Sequence, residues 1–195
     1  MESEIKKELQ IISFSSYKDW ENWLELNHHI SNGIWLKFYK KNSGVTTIVY
    51  KEALDIALCF GWIDGQLKPC DENSYLQKFT PRRPQSIWSK RNIEHITRLE
   101  KAGKMKPSGL KAVEAAKADG RWDKAYDSPS NMEIPEDLLN ELKKDEKALA
   151  FFESLNKANK YAITWRLQTA KRLETRKKRL MLILEMLVKG EKFHN

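Results

Sequence analysis

The stretch WIDGQLKPCDENSYLQKFTP, Trp62 to Pro81, decides how the chain folds. Its two halves are rich in β-branched and aromatic residues, and the turn formers PCDEN, Pro69 to Asn73, stand between them; the segment reads as a hairpin of two strands. Immediately upstream, Tyr50 to Phe60 is apolar nearly all round, which predicts a buried helix stopped by Gly61. Further back, GIWLKFYKK reads as a strand with Ile34, Leu36 and Phe38 on one side. The chain opens with IISF, Ile11 to Phe14, as a short strand. A capping box of Ser16 and Asp19 then leads a helix whose face holds Trp20, Trp23 and Leu24.

Downstream of the hairpin the periodicity turns helical. Ser89 is placed to cap a helix with Ile93, Ile96 and Leu99 on one face, ending at Gly103. Pro107 starts another, with Leu110 and Val113, ending at Gly120. DSPSNMEIP, Asp127 to Pro135, combines turn formers with a proline suited to a first helical turn and reads as a linker. Beyond it the apolar spacing is helical throughout: Leu138, Leu139 and Leu142; Ala148, Phe151, Phe152 and Leu155; Tyr161 and Trp165; Leu173, Leu180, Leu184 and Leu187. The expected fold is α+β, a small mostly antiparallel sheet with packed helices over residues 1–130, followed by an all-helical module over 131–195.

At 195 residues with 41% hydrophobic content, the chain is long enough to bury a real core as one large domain or two small ones. Its richest apolar run, Leu180 to Val188, is interrupted by Glu185, and the N-terminal MESEIKKELQ lacks an apolar signal region; no transmembrane segment is expected, and the cytosol is the default compartment. Two cysteines, Cys59 and Cys70, make neither a disulfide framework nor a CxxC motif, and Cys59 reads as a buried small apolar residue. His28 and His29 point about 100° apart on a helix, while His95 and His194 stand alone, so neither a metal site nor a cofactor is expected.

The net charge of +8 is concentrated. Between Asn156 and Lys192 eleven basic residues face only Glu174, Glu185 and Glu191, a surplus equal to that of the whole chain, so the remainder is neutral. Such asymmetry marks the C-terminal part as a module with its own surface potential.

Two groups of residues carry a resemblance. ALCFGWIDGQLK (Ala57 to Lys68) with SYLQKFTPRRPQSIWSKRNIEH (Ser74 to His95), and then PEDLLNEL (Pro135 to Leu142), AFFESL (Ala150 to Leu155) and AKRLETRKKRL (Ala170 to Leu180), resemble the YdeI/OmpD-associated, or bacteriocin-protection, family. The resemblance implies a link to bacterial protection or stress tolerance and carries no catalytic residues onto this chain.

The chemistry is therefore argued from the residues. FTPRRPQSIWSKRN, Phe79 to Asn92, is basic and free of acids. Pro81 and Pro84 fix backbone angles around Arg82 and Arg83, so these guanidiniums are presented with less ordering entropy to lose. Ser86 and Ser89 add hydroxyls, Lys90 and Arg91 add charge, a helix starting near Ser89 aims amides at the same anion, and Trp88 offers a ring for stacking. The competing reading makes Trp88 and Pro81 core packing and pairs the arginines with Asp64, Asp71 or Glu72. Asp64 is the candidate acid or base; the hairpin is expected to bring it towards the basic loop, which favours its charged form and weakens it as a base. Alternatively it is a turn aspartate bonded to its own backbone. In the tail, Lys171, Arg172, Arg176, Lys177, Lys178 and Arg179 form a basic stretch able to meet a polyanion, or a helix that closes a bundle and leaves its charges in water. Contact with a membrane surface is not expected.

Two functions from different classes follow. One is non-enzymatic binding of a phosphate-bearing ligand, nucleic acid or acidic partner at the Phe79 to Asn92 surface. The other is a small enzyme using Asp64 on an anionic substrate clamped by the arginines.

Overall fold

The computed structural model describes residues 8–128 and 131–194. Pro129 and Ser130 of the expected linker, and most of the N-terminal stretch read above, lie outside the described residues. The chain packs as two compact units. The first comprises the residues up to Ser86 together with Asn92–Asp123, and the second Ile87–Arg91 with the chain from Lys124 onward.

In the first unit, β1 (Ile11–Ile12), β2 (Ile34–Tyr39), β3 (Trp62–Asp71) and β4 (Ser74–Pro81) form a sheet in the order β1-β2-β4-β3. The pair β1-β2 is parallel and the other two are antiparallel, as the mostly antiparallel expectation requires. The expected turn shrinks to Glu72 and Asn73, because β3 runs on through Asp71, and the Asp71 carboxylate accepts the Asn73 amide at 2.9 Å. The first strand is also shorter than expected. Phe14 leaves the sheet to stack towards Trp20, at 5.3 Å between centroids, and its carbonyl takes the Ile48 amide at 3.1 Å.

Alternation along β2 gives the sheet two different faces. Ile34, Leu36 and Phe38 are buried, while Trp35, Lys37 and Tyr39 are only partly so. The buried face packs on α1 (Tyr17–Asn27) and α2 (Tyr50–Cys59) through an aromatic cluster of Trp20, Trp23, Trp62 and Phe79. Polar handles on two of the buried indoles are satisfied: Trp20 donates to the Ala53 carbonyl at 3.0 Å and Trp62 to the His28 carbonyl at 3.2 Å. The capping box is present at the start of α1, with the Ser16 hydroxyl accepting from the Asp19 amide and the Asp19 carboxylate accepting from the Ser16 amide.

Gly61 of FGWIDG is explained as architecture. Gly61 ends α2 with a φ of +74°, and a Cβ there would stand 2.9 Å from the Ser108 carbonyl oxygen. That carbonyl belongs to α4 (Pro107–Ala118), whose Gly109 lies so close to α2 that an added Cβ would reach 2.1 Å from the Cys59 oxygen. Two glycines thus let α4 seat against the end of α2. Between β4 and α4 runs α3 (Lys90–Lys101), which opens directly after Ser89 as expected and buries Ile96 and Leu99.

The second unit holds α5 (Glu136–Leu142), α6 (Glu146–Ser154), α7 (Lys157–Gln168) and α8 (Leu173–Val188). Leu138, Leu142, Ala148, Phe152, Ile163, Leu167, Ile183 and Leu187 close one core. Two expectations change here. Leu173 is 68% exposed, since α8 begins at that residue and its buried stripe runs through Ile183 and Leu187. On α7 the buried residues are Asn159, Ile163, Thr164 and Leu167, and Trp165 lies half-buried in an edge-to-face contact with Tyr126.

Candidate functional site

The outward face of the first unit's sheet gathers the site. Strand pairing sets Lys78 of β4 opposite Trp35 of β2, and Lys68 of β3 opposite Leu76 on the same face. The Lys68 ammonium lies 4.2 Å from the Trp35 ring centroid and that of Lys78 5.9 Å from it. Trp35, Lys68, Lys78, Thr80 and Arg83 line one concavity of about 790 Å³, with Glu8 as the acidic residue on its wall. Two strand positions along β2, Lys37 sits 4.9 Å from the Tyr39 ring and 3.1 Å from the Asp71 carboxylate, which raises the lysine above its ordinary value. This face is chemically suited to planar anions: ammonium and guanidinium groups for phosphate, and a partly exposed indole for a ring.

The residues expected in the basic loop are distributed between the units. Arg82, Arg83 and Ser86 belong to the first, whereas Trp88, Ser89, Lys90 and Arg91 pack with the second. The Arg82 amide donates to the Gly61 carbonyl at 2.9 Å, and Arg83 reaches the concavity beside Trp35. The Ser86 carbonyl accepts from Arg121 at 3.0 Å. Trp88 is 1% exposed, which is the core-packing alternative. Ser89 is buried beside Tyr126, whose amide donates to the Trp88 carbonyl and whose carbonyl accepts the Lys90 amide, both at 2.9 Å. Lys90 and Arg91 are exposed, and the Lys90 ammonium meets Asp127 at 2.7 Å. That bond, with one from Gln168, holds the Asp127 carboxyl below its ordinary value.

Asp64 is no turn residue. Strand β3 begins at Trp62, so Asp64 lies within the ladder opposite Phe79, and the Tyr50 hydroxyl of α2 donates to its carboxylate at 2.7 Å. His95 does not stand alone either. Its Nδ1 lies 2.6 Å from Asp55, forty positions earlier on α2, and Arg98 donates to both oxygens of the same carboxylate at 2.6 Å. This cluster ties α3 to α2 beside a cavity of about 520 Å³ that Asp55, Arg98 and the apolar Ile56 and Leu99 help to line. Among the described residues no group of three histidine, cysteine or acidic side chains converges as a metal site would require.

In the tail, Arg176 grips Asp137 with two bonds of 2.7 Å and donates to the Leu167 carbonyl, and Arg179 donates to the Arg166 carbonyl at 2.6 Å. Arg176 thereby keeps the Asp137 carboxyl below its usual range. Lys171, Arg172, Lys177 and Lys178 are exposed. No described helix is long and apolar enough to cross a membrane.

Comparison with known families divides the chain along similar lines. Residues 131–190 match the family described as bacteriocin-protection, YdeI or OmpD-associated, and residues 12–112, just over half of the chain, match the model of a domain of unknown function, DUF8412. The chain belongs to the DUF8412 family. FGWIDG and FTPRRP therefore fall in the DUF8412 part, and only the helical tail carries the bacteriocin-protection match, a narrower reach than the resemblance implied. No curated protein and no solved structure matches the chain.

Trp35 and Lys68 were absent from the sequence reading of the site. One signal for them existed. Once Ile34, Leu36 and Phe38 fill the buried face of β2, Trp35 and Tyr39 are aromatic residues left on the outward face, where packing alone does not require them.

Proposed function

We propose that the first unit is a non-enzymatic binding module that takes a phosphate-bearing ligand with a flat ring on the outward face of its sheet. The observation that carries this reading is the placement of Lys68, Lys78 and Arg83 around Trp35 in one concavity. Lys68 caps the Trp35 indole, so a stacking ring takes the place of its ammonium and leaves that charge to meet the phosphate of the same ligand. Arg83 brings the anion binding expected of the proline-flanked loop to this face. The exposed Lys171, Arg172, Lys177 and Lys178 of the second unit add sequence-independent attraction for polyanions. The match of residues 131–190 to the bacteriocin-protection model supports a link with bacterial protection, of which such binding would be the molecular part.

The test is a thermal-shift titration with nucleoside 5′-monophosphates and with the matching nucleosides, at low and high salt. Because a ligand that binds only the native state raises its stability by mass action, the monophosphates should raise the melting temperature at low salt. The nucleosides should do so far less, and Lys78→Ala or Arg83→Ala should abolish the shift. A shift that survives both substitutions, or none with any phosphate-bearing compound, would overturn the proposal.

A further inference from the structure

The outward sheet face continues past Trp35. Tyr39 lies four residues further along β2 and on the same side, since side chains on a strand alternate; at about 3.3 Å per residue the two rings stand about 13 Å apart. Between them lies Lys37, which is close to the Tyr39 ring, and the pairing of β2 with β4 and of β4 with β3 places Lys78 and Lys68 alongside. The face is therefore a line of two aromatic platforms with Lys68 and Lys78 beside them and Lys37, paired with the Asp71 carboxylate, between them. A mononucleotide at Trp35 cannot reach Tyr39, because successive nucleotides of one helical strand advance only about 3.4 Å. A duplex fares no better, as its base faces are stacked on one another and closed to a flat protein surface.

From this geometry we infer that the natural ligand class is single-stranded nucleic acid, lying along β2 with bases on Trp35 and Tyr39 and backbone phosphates on Lys68, Lys78 and Arg83. The inference rests on the anion-binding reading of this face and extends it from one ring to two. Stacking on partly exposed rings tolerates every base, so little sequence preference accompanies it. Phosphate contacts from the three cations make the affinity fall steeply with added salt.

The experiment uses the full chain and fluorescein-labelled deoxythymidine decamers, read by fluorescence anisotropy at low salt. Unlabelled deoxythymidine monophosphate and a labelled ten-base-pair duplex run in parallel. The decamer should bind at least tenfold tighter than either. Stacking is worth about 1–3 kcal/mol per base, so Trp35→Ala should weaken decamer binding by roughly 5- to 150-fold and Trp35→Phe by much less. Tyr39→Ala should weaken decamer binding while leaving monophosphate binding unchanged, and Lys78→Ala, on the exposed side of the sheet, should weaken both. Circular dichroism of each variant reports that the fold is kept.

Three outcomes would count against the inference, and they fall at different places. If the monophosphate binds as tightly as the decamer and Tyr39→Ala changes nothing, the face takes a small ligand; the binding module stands and the single-strand extension fails. A duplex bound as tightly as the single strand, unaffected by Trp35→Ala, would assign the nucleic-acid attraction to the basic tail and overturn the extension. Failure of every phosphate-bearing probe to bind would remove both readings.

Discussion

At Cys59 the thiol lies in the last turn of α2, and burial, with the carboxylates of Asp55 and Glu21 adding to it, pushes its pKa up to about 11. A thiol so raised is almost wholly protonated at neutral pH and is a poor nucleophile. Cys70, on β3, is exposed. Iodoacetamide at pH 7.5 should therefore modify Cys70 in the native protein and reach Cys59 only after denaturation, which mass spectrometry of the digested protein would check; rapid native modification of both would show that the end of α2 opens. The buried reading of Cys59 was legible in ALDIALCFGW, because a small apolar residue inside an all-round apolar helix has nowhere else to go. His95 was not legible in the same way. Its partner Asp55 is remote in sequence, and nothing in IEHITRL announces a carboxylate on another helix.

Helix α8 shows the same divide one level up. Its apolar residues are too numerous for a single stripe, so spacing alone admits more than one buried face, and contact with α6 and α7 selects Ile183 and Leu187. Ile183→Ala should cost about 2–5 kcal/mol in urea unfolding, and Leu173→Ala, at an exposed first turn, within about 0.5 kcal/mol; similar costs for both would refute this placement. The Arg176 clamp between α8 and Asp137 also carries a pH dependence. Folded carboxyl values below 3.8 for Asp137 and Asp127 mean that their contribution is fully present above the unfolded value and lost as pH falls through the folded ones. The melting temperature of the helical unit should fall as the pH is lowered below about 4. Arg176→Met should lower it at pH 7 and flatten that fall; an unchanged acid profile would show that the pair contributes nothing.

For the molecule as a whole, the concentration of charge predicts a separable behaviour. The excess positive charge lies in the tail, while the proposed ligand face lies in the first unit. Replacing Lys171, Arg172, Lys177 and Lys178 by alanine should lower the salt concentration needed for elution from heparin and reduce the slope of log affinity against log salt by up to about four. The same fourfold variant should leave the monophosphate shift intact, because that shift is assigned to Lys78 and Arg83. Loss of the monophosphate shift in the tail variant would move the site out of the sheet.

The sequence by itself determined the elements whose cause is local. The hairpin follows from two β-rich runs around a turn cluster, the start of α1 from Ser16 and Asp19, the stop of α2 from Gly61, and the helical tail from leucine spacing, because turn chemistry, caps and side-chain periodicity act between residues a few positions apart. Trp88 illustrates the limit. As sequence it offers a ring among arginines, and in the fold that ring is buried. Strand register and helix packing alone decided that Lys68 and Lys78 flank Trp35, that Tyr50 meets Asp64, and that Asp55 joins His95 to Arg98. Those meetings depend on which remote segments share one core, and a local pattern carries no information about its partner.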